Sequence, residues 1–347
     1  MHKKLAICIP TFNRPRSMER CLRSIEVALD KFTFPIEICI SDNSENSDTE
    51  KIALAFQEKM KIKYKKNYRN LGYAGNFKSA VNMAESEYVW LIGDDDVLTP
   101  NTFDLVSKMF RSFADLDFYY VNAYHLESKN IIKINDEFDF ISSKKFMKEH
   151  SKSRPSRTMK FKELIDYKMS SDFLAGMFLS IFRKNLWLQS QDLVLNKNLN
   201  SNIYFDSLDD TFPHAKIFAN TFMSSDTFYS EVPMIIAVSG EREWSKYFPL
   251  IRTFRMLDLM KEYRNNGLEF RVYWKNINHI AKYFAYDSLY YWGNKTGNYP
   301  KIELATYAKS VILCPNFYLS FPRLVFGKIS SMLKLRDFYV KFLNYEH

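Results

Sequence analysis

Three consecutive carboxylates, Asp94, Asp95 and Asp96, follow an apolar run and a single glycine in the stretch YVWLIGDDDVLTP. Ionised side chains packed so closely repel one another, and a hard divalent ion with oxygen ligands, Mg2+ or Mn2+, would relieve the repulsion while bridging to a diphosphate. The plainer use of such a run is a solvated turn in which one Asp caps the next helix. Asp42, inside SDNSENSD, offers oxygens that accept an N–H either from a nucleobase edge or, in an Asx turn, from its own backbone. In NLGYAGN, residues 70–76, small side chains would let backbone amides approach a ligand, and the following helix would turn its positive end toward phosphate. The same residues also suit an ordinary helix entry.

These groups serve one site only if the intervening elements carry them to one edge. Leu5 to Ile9 is a nearly continuous apolar run ending in Pro, as in a strand covered on both faces. Met18, Cys21, Leu22, Ile25 and Leu29 recur at helical spacing. A second strand is expected over Ile36–Ile40, a helix around Ile52, Ala53, Phe56 and Met60, and a short strand Ile62–Tyr64. A helix over Phe77–Ala84, a strand Tyr88–Ile92, a helix over Phe103–Phe113 and a strand Phe118–Val121 complete the series. Alternation at this spacing implies right-handed crossovers and an α/β, doubly wound, mostly parallel sheet. In such a sheet ligands bind beyond the carboxyl ends of the strands, so PTFNR, SDNSENSD and GDDD would share one rim.

Beyond Val121 the pattern is less regular. Residues 127–160 are charged and read as a long loop or insertion, and Phe173–Phe182 is an apolar stretch containing Gly176, whose plain use is a turn or close backbone packing. From about Trp244 the spacing is helical, through Phe254, Leu257 and Met260 and then Tyr273, Trp274, Ile277, Ile280, Ala281 and Phe284. The expected organisation is a domain over 1–243, split into halves 1–122 and 123–243, with a helical C-terminal extension over 244–347.

A chain of 347 residues, 46% hydrophobic and 26% charged with only 9 Gly and 11 Pro, is folded and carries no low-complexity linker. The opening apolar run is too short for a signal peptide and nothing approaches a membrane span, so a cytoplasmic protein is expected. Cys8, Cys21, Cys39 and Cys314 lack metal-like spacing and suit a reduced core. A net charge of +9 favours anionic partners without choosing among nucleic acid, a membrane surface and phosphate-bearing substrates.

Taken in order, ICIPTFNRPRSMERCLRSI, EICISDNSENSDTE, NYRNLGYAGNFKSAV and YVWLIGDDDVLTP resemble the inverting family-2 glycosyltransferases of the GT-A fold, a Rossmann-like α/β architecture. The form is closest to the abequosyltransferase-like branch of surface-polysaccharide synthesis. The likeness covers about the first 120 residues. It implies a nucleotide-sugar donor and a divalent metal. Pro10, Thr11, Asn13 and Arg14 would lie beside the nucleotide, Asp42 would contact the nucleobase, and Asn70, Gly72 and Asn76 would face the donor. Asp94 and Asp96 match the ends of a D-x-D element, one turned to the ribose and the other to the metal, and Asp95 fits either task.

Inverting transfer needs a base for the acceptor hydroxyl and positive charge on the departing diphosphate. The resemblance places that base on an acidic pair, here Asp209 and Asp210 in DSLDDTFPHA, with Asp210 preferred. Ser207 with Asp210 also fits a capping box, which is compatible with catalysis. His214 would share a face with Asp210 if one helix held both, and would complete the metal shell or touch the diphosphate; Pro213 interrupts such a helix, and a buried structural His is the alternative. Gly176 resembles a family segment near the acceptor, and Glu241 is a reserve base. The implied acceptor is a saccharide, plausible on a polyprenyl diphosphate. PRLVFGKISSMLKLRDFYVKFLNY mixes basic and apolar residues and would lie peripherally on the inner, anionic membrane face, or else pack on the core. Two other classes compete. A sugar nucleotidyltransferase would need a glycine-rich first loop, which PTFNRP lacks, and a nucleic-acid binder would need a recognition module that is not evident.

Overall fold

The computed structural model describes residues 5–29, 35–134, 137–151, 154–170, 172–195, 203–240, 246–294 and 298–332. The first half is a strand–helix alternation. β1 (Leu5–Thr11) is buried along its whole length, and α1 (Pro15–Leu29) turns Met18, Cys21, Leu22 and Ile25 inward, the stripe that the helical spacing requires. β2 (Ile36–Asp42), α2 (Asp48–Gln57), β3 (Ile62–Lys66), α3 (Gly72–Met83) and β4 (Tyr88–Leu91) follow. β1 lies parallel between β2 and β4, with Thr11 level with Asp42 and Cys8 level with Leu91. Strand order runs β3-β2-β1-β4, so it reverses at β1, and the carboxyl ends of all four strands lie on one rim.

The sheet then changes character. β5 (Val97–Leu98), α4 (Thr102–Ser112) and β6 (Phe118–Glu127) are followed by a segment expected as a loop, residues 127–160. It instead carries a hairpin, β7 (Lys133–Ile134) with β8 (Glu137–Phe138), a turn of helix α5 (Phe140–Ser143), β9 (Lys148–Glu149) on β6, and β10 (Arg157–Lys160) on the sheet edge. Strands of two residues carry no readable period, and their cohesion is tertiary: Phe138, Phe140 and Met147 pack on Val97, Leu126, Ile236 and Val238. β11 (Ser180–Arg183) runs antiparallel between β4 and β6, and α6 (Lys184–Ser190), α7 (Leu208–Thr211) and α8 (Pro213–Thr221) lead to the long β12 (Asp226–Ser239), parallel to β6. β5 pairs with β12, so the chain leaving the acidic triplet is stitched directly into the second half of the sheet.

After the sheet, α9 (Phe248–Leu250) passes through a π turn, Ile251–Arg255, into α10 (Met256–Asn265), and α11 (Phe270–Ala281), α12 (Phe284–Asn294), α13 (Leu304–Val311) and α14 (Pro315–Met332) complete a helical region. One contiguous apolar core links the sheet to these helices, from Leu5 through Trp90, Phe118 and Phe218 to Phe254, Tyr307 and Cys314. Trp90 is fully buried and its indole N–H donates to the Phe178 carbonyl at 2.7 Å. All four cysteines are buried and free. Among the described residues no helix is long and apolar enough to cross a membrane.

Candidate active site

The loops leaving β1, β2 and β3 are bound together by amides. Asn43 donates to Asn70 at 2.9 Å and accepts from Asn67 at 2.9 Å and from the Leu71 N–H at 3.2 Å. Asn67 also reaches Ser41 and Asn76, and Asn76 donates to the Thr11 carbonyl at 3.1 Å. Buried amides satisfied on both ends hold polar loops without leaving orphan donors. The result fixes the entrance to α3, where Gly72 takes φ 71°, a left-handed conformation that Gly adopts without strain. Asn70, Gly72 and Asn76 lie within this network, and Asn43 and Asn67, which carry it, escaped the sequence reading; their position just beyond β2 and β3 was the available signal.

Asp42 is fully buried. Its Oδ1 accepts from the Ser44 N–H at 2.7 Å, an Asx turn, and its Oδ2 from the Tyr64 hydroxyl at 2.7 Å. Burial and the Asp42 carboxylate raise the Tyr64 pKa well above its ordinary value. Asn13 takes φ 55° and its N–H donates to Ser44 at 2.7 Å, joining the loop after β1 to that after β2. Pro10 lies within the buried β1, level with Ser41.

The acidic triplet sits at the strand reversal, and it is enclosed: Asp94 and Asp95 are 5% exposed and Asp96 1%. Thr11 donates its hydroxyl to Asp94 Oδ2 at 2.7 Å, and Arg14 Nη1 lies 3.5 Å from both Asp94 Oδ1 and Asp95 Oδ2. Asp96 Oδ2 accepts the Gly93 N–H at 2.7 Å. Burial and the Asp95 charge push Asp94 up to about 6, opposed by Arg14 and Thr11. Gly93 is required sterically, since a Cβ there would stand 2.6 Å from Asp95 Oδ1 and 3.1 Å from Asp96 Oδ2. Buried, mutually repelling oxygens around a position that admits no side chain suit a hard divalent cation. Among the described residues no set of three or more His, Cys, Asp or Glu side chains converges as a cage for a metal ion.

The second acidic pair lies on α7. Ser207 caps it, accepting the Asp210 N–H at 3.3 Å. Asp209 is held by Lys216 at 2.6 Å and the Leu195 N–H at 3.0 Å, whereas Asp210 Oδ2 accepts the Phe205 N–H at 2.9 Å. Phe205 stacks on Tyr73 of α3, centroids 5.9 Å apart, which brings the acidic pair beside the asparagine-bound loop. The shared helical face of Asp210 and His214 is not realised: α7 ends at Thr211 and Pro213 starts a new helix, because Pro disrupts a helix interior but suits its first turn. His214 is buried against Phe77 and Phe218, donates Nε2–H to the Leu174 carbonyl at 3.1 Å, and is held down to about 4 by burial. No contact joins it to the acidic triplet among those of the described residues. Gly176 caps a turn through its N–H, which donates to Asp172 at 2.9 Å. Glu241 lies outside the described residues.

Residues 6–186 match the family described as Glycosyl transferase family 2. The abequosyltransferase of Salmonella typhimurium is 36% identical over 114 residues, 32% of this chain and 34% of that protein. The GalNAc(5)-diNAcBac-PP-undecaprenol beta-1,3-glucosyltransferase of Campylobacter jejuni is 28% identical over 205 residues, 58% of this chain and 56% of that one. The matched stretch therefore spans between a third and somewhat over half of these relatives' lengths. In fold, the mannosyltransferase PcManGT from Pyrobaculum calidifontis, solved with GDP-Man and Mn2+, superposes with a TM-score of 0.51 at 12% identity, covering 98% of this chain and 84% of that one.

Proposed function

The chain belongs to glycosyl transferase family 2, and from that premise we propose that it moves one sugar from a nucleotide-sugar donor to a saccharide acceptor in surface-glycan synthesis, by a metal-assisted inverting displacement with Asp210 as base. The observation that carries this reading is the enclosed acidic triplet at the strand reversal, tied through Thr11 and Arg14 to the first loop. The identity to an abequosyltransferase and to a transferase named for a diphosphate-linked polyprenol supports the glycan setting and a lipid-linked acceptor.

In this mechanism Asp94 and Asp96 would hold a Mg2+ or Mn2+ ion, whose chemistry would be to offset charge building on the leaving diphosphate. The loop of Asn70, Gly72 and Asn76 seats the nucleotide, with the N-terminal end of α3 favouring its phosphates. Arg14, 3.5 Å from two carboxylates, offsets their charge and fixes their orientation. Asp42 braces the base-facing wall, its oxygens held by Ser44 and Tyr64. Asp210 accepts the proton of the acceptor hydroxyl as that oxygen attacks the anomeric carbon and the C1–O bond to the diphosphate breaks. Peripheral attachment to a membrane would bring a polyprenyl-linked acceptor to this rim.

A thermal-shift panel of UDP-, GDP-, CDP- and dTDP-sugars with and without Mn2+ tests the reading, because a ligand that binds only the folded state must raise its apparent stability. One donor is expected to raise Tm only when Mn2+ is present, and Asp96→Ala to abolish the shift while remaining folded. Full donor binding and turnover by that variant would end the metal assignment.

A further inference from the structure

We propose that Arg255, from the C-terminal helical region, is a positioning residue for the Asp210 carboxylate; the inference rests on Asp210 being the base. Arg255 ends the π turn Ile251–Arg255 and is 4% exposed. A π turn inserts one residue into the helical register and so re-aims the side chains beyond it, a device frequent at functional sites. Here it sends a guanidinium out of its own helix toward the segment before α7. Nε donates to the Phe205 carbonyl at 2.7 Å and Nη2 to the Asp206 carbonyl at 2.7 Å. The remaining nitrogen, Nη1, donates to Asp258 at 2.8 Å and to the Tyr307 hydroxyl at 3.0 Å, while that hydroxyl donates to Asp258 at 2.7 Å. The planar fork is anchored at one end on α10 and α13 and grips two successive carbonyls with the other.

What it grips is a strained turn. Phe205 takes φ 57°, a conformation unfavourable for a bulky residue and held only where its surroundings over-determine it. Its ring lies on Tyr73 and against the edge of Tyr247, its carbonyl is held by Arg255, and its N–H donates to Asp210 Oδ2. The strained peptide therefore converts the Arg255 grip into a hydrogen bond aimed at one carboxylate oxygen. The Asp258 pairing occupies one nitrogen, and the other two donate to the carbonyls of this turn. Loss of the grip releases the Phe205 N–H from Asp210, and a carboxylate that loses a donor to its charged form binds its proton more tightly.

The test uses the full chain with the UDP-, GDP-, CDP- or dTDP-sugar giving the largest Mn2+-dependent thermal shift, reading nucleoside diphosphate release against pH. Arg255→Met is expected to lower kcat by roughly 10- to 100-fold, the scale of a small misplacement of a catalytic group, with donor affinity within about threefold of wild type. The acid limb of its pH profile should move up by roughly half a unit to one unit. Arg255→Lys, able to reach one carbonyl, should recover part of both losses. Tyr307→Phe keeps the arginine and removes one anchor, and should move kcat and the limb in the same direction by less; it decides the matter if Arg255→Met does not fold. Asp210→Asn separates this inference from its premise. If that variant is inactive while folded Arg255→Met or Tyr307→Phe keeps wild-type kcat and acid limb, Arg255 is structural only and the proposal is wrong. If Asp210→Asn turns over normally, the base assignment falls, and this proposal with it, whatever the arginine variants do.

Discussion

Replacing Asp94 by Asn removes one ionisable group of the acidic triplet together with its electrostatic coupling to Asp95. Burial and the Asp95 charge hold Asp94 at about 6, against an ordinary value of 3.8. Between those pH values the folded state keeps a proton that the unfolded chain has released, so stability contributed by this carboxyl is present in acid and lost as pH rises. The gap, roughly two units, corresponds to about 3 kcal/mol, lost in full above about pH 6. His214 titrates in the opposite sense, so the wild-type curve alone is ambiguous and the difference between wild type and Asp94→Asn is the decisive quantity. In urea unfolding from pH 4.5 to 7.5 with EDTA present, the variant should gain on wild type by about 2 kcal/mol as pH rises, the rest of the change lying below pH 4.5. Mn2+ should stabilise wild type more at pH 7.5 than at pH 5, because proton and cation compete for one carboxylate, and the variant should respond less. A wild-type–variant difference that is flat in pH, or an Mn2+ shift as large at pH 5 as at pH 7.5, would refute the idea that the triplet stores its own repulsion.

His214 is held down to about 4 by burial, against 6.5 for an ordinary imidazole, so its stabilising contribution is complete above pH 6.5 and is lost as pH falls toward 4. That loss amounts to about 3 kcal/mol, and the stability of wild type relative to His214→Gln should rise by about that much from pH 4 to pH 6.5, a difference read from urea midpoints and free of the opposing Asp94 titration. Gly93→Ala places a Cβ 2.6 Å from Asp95 Oδ1; a near-normal Tm with the Mn2+-dependent donor shift abolished is expected by thermal denaturation, and a retained shift would show that the triplet tolerates displacement. Tyr73→Ala removes the stack that joins α3 to Phe205. Hydrogen exchange should then show donor-induced protection at α3 no longer extending to residues 203–211, whereas undiminished protection there would show that the two halves are coupled by another route.

The first half of the fold was legible because each of its elements is long enough to display its period. β1 reads as an unbroken apolar run and α1 as Met18, Cys21, Leu22 and Ile25, and the parallel order then follows from alternation alone. What lay beyond Val121 was not legible for the opposite reason. β7, β8 and β9 are two residues each, and β11 runs antiparallel where the alternation predicts a parallel neighbour. Local pattern also cannot see a partner far along the chain: Arg255 reads as one charge on an amphipathic helix, although its hydrogen bonds reach back about fifty residues. The asparagines were undervalued because Asn after a strand ordinarily signals a turn, while Asn43 and Asn67 serve as shared donors and acceptors between three loops.

The helix α3 is packed between the first and the second half of the sheet region. Its N-terminus is fixed by Asn43, Asn70 and Asn76 to the loops after β1 and β2. Its outer residues meet the second half at three points: Tyr73 on Phe205, Phe77 on His214, and the Lys78 ammonium donating to the Val194 carbonyl at 2.6 Å. On the proposed function, a nucleotide seated at the start of α3 would press on the same helix that supports the turn before Asp210. Packed cores shift between discrete arrangements and deform little in between, so the proposed donor loop and the proposed base would be set in register along this one helix. His214, offered by the sequence as a metal or diphosphate contact or else as a buried structural histidine, lies in the second of these settings: held down to about 4 by burial, it packs on Phe77 of α3 and donates to the Leu174 carbonyl.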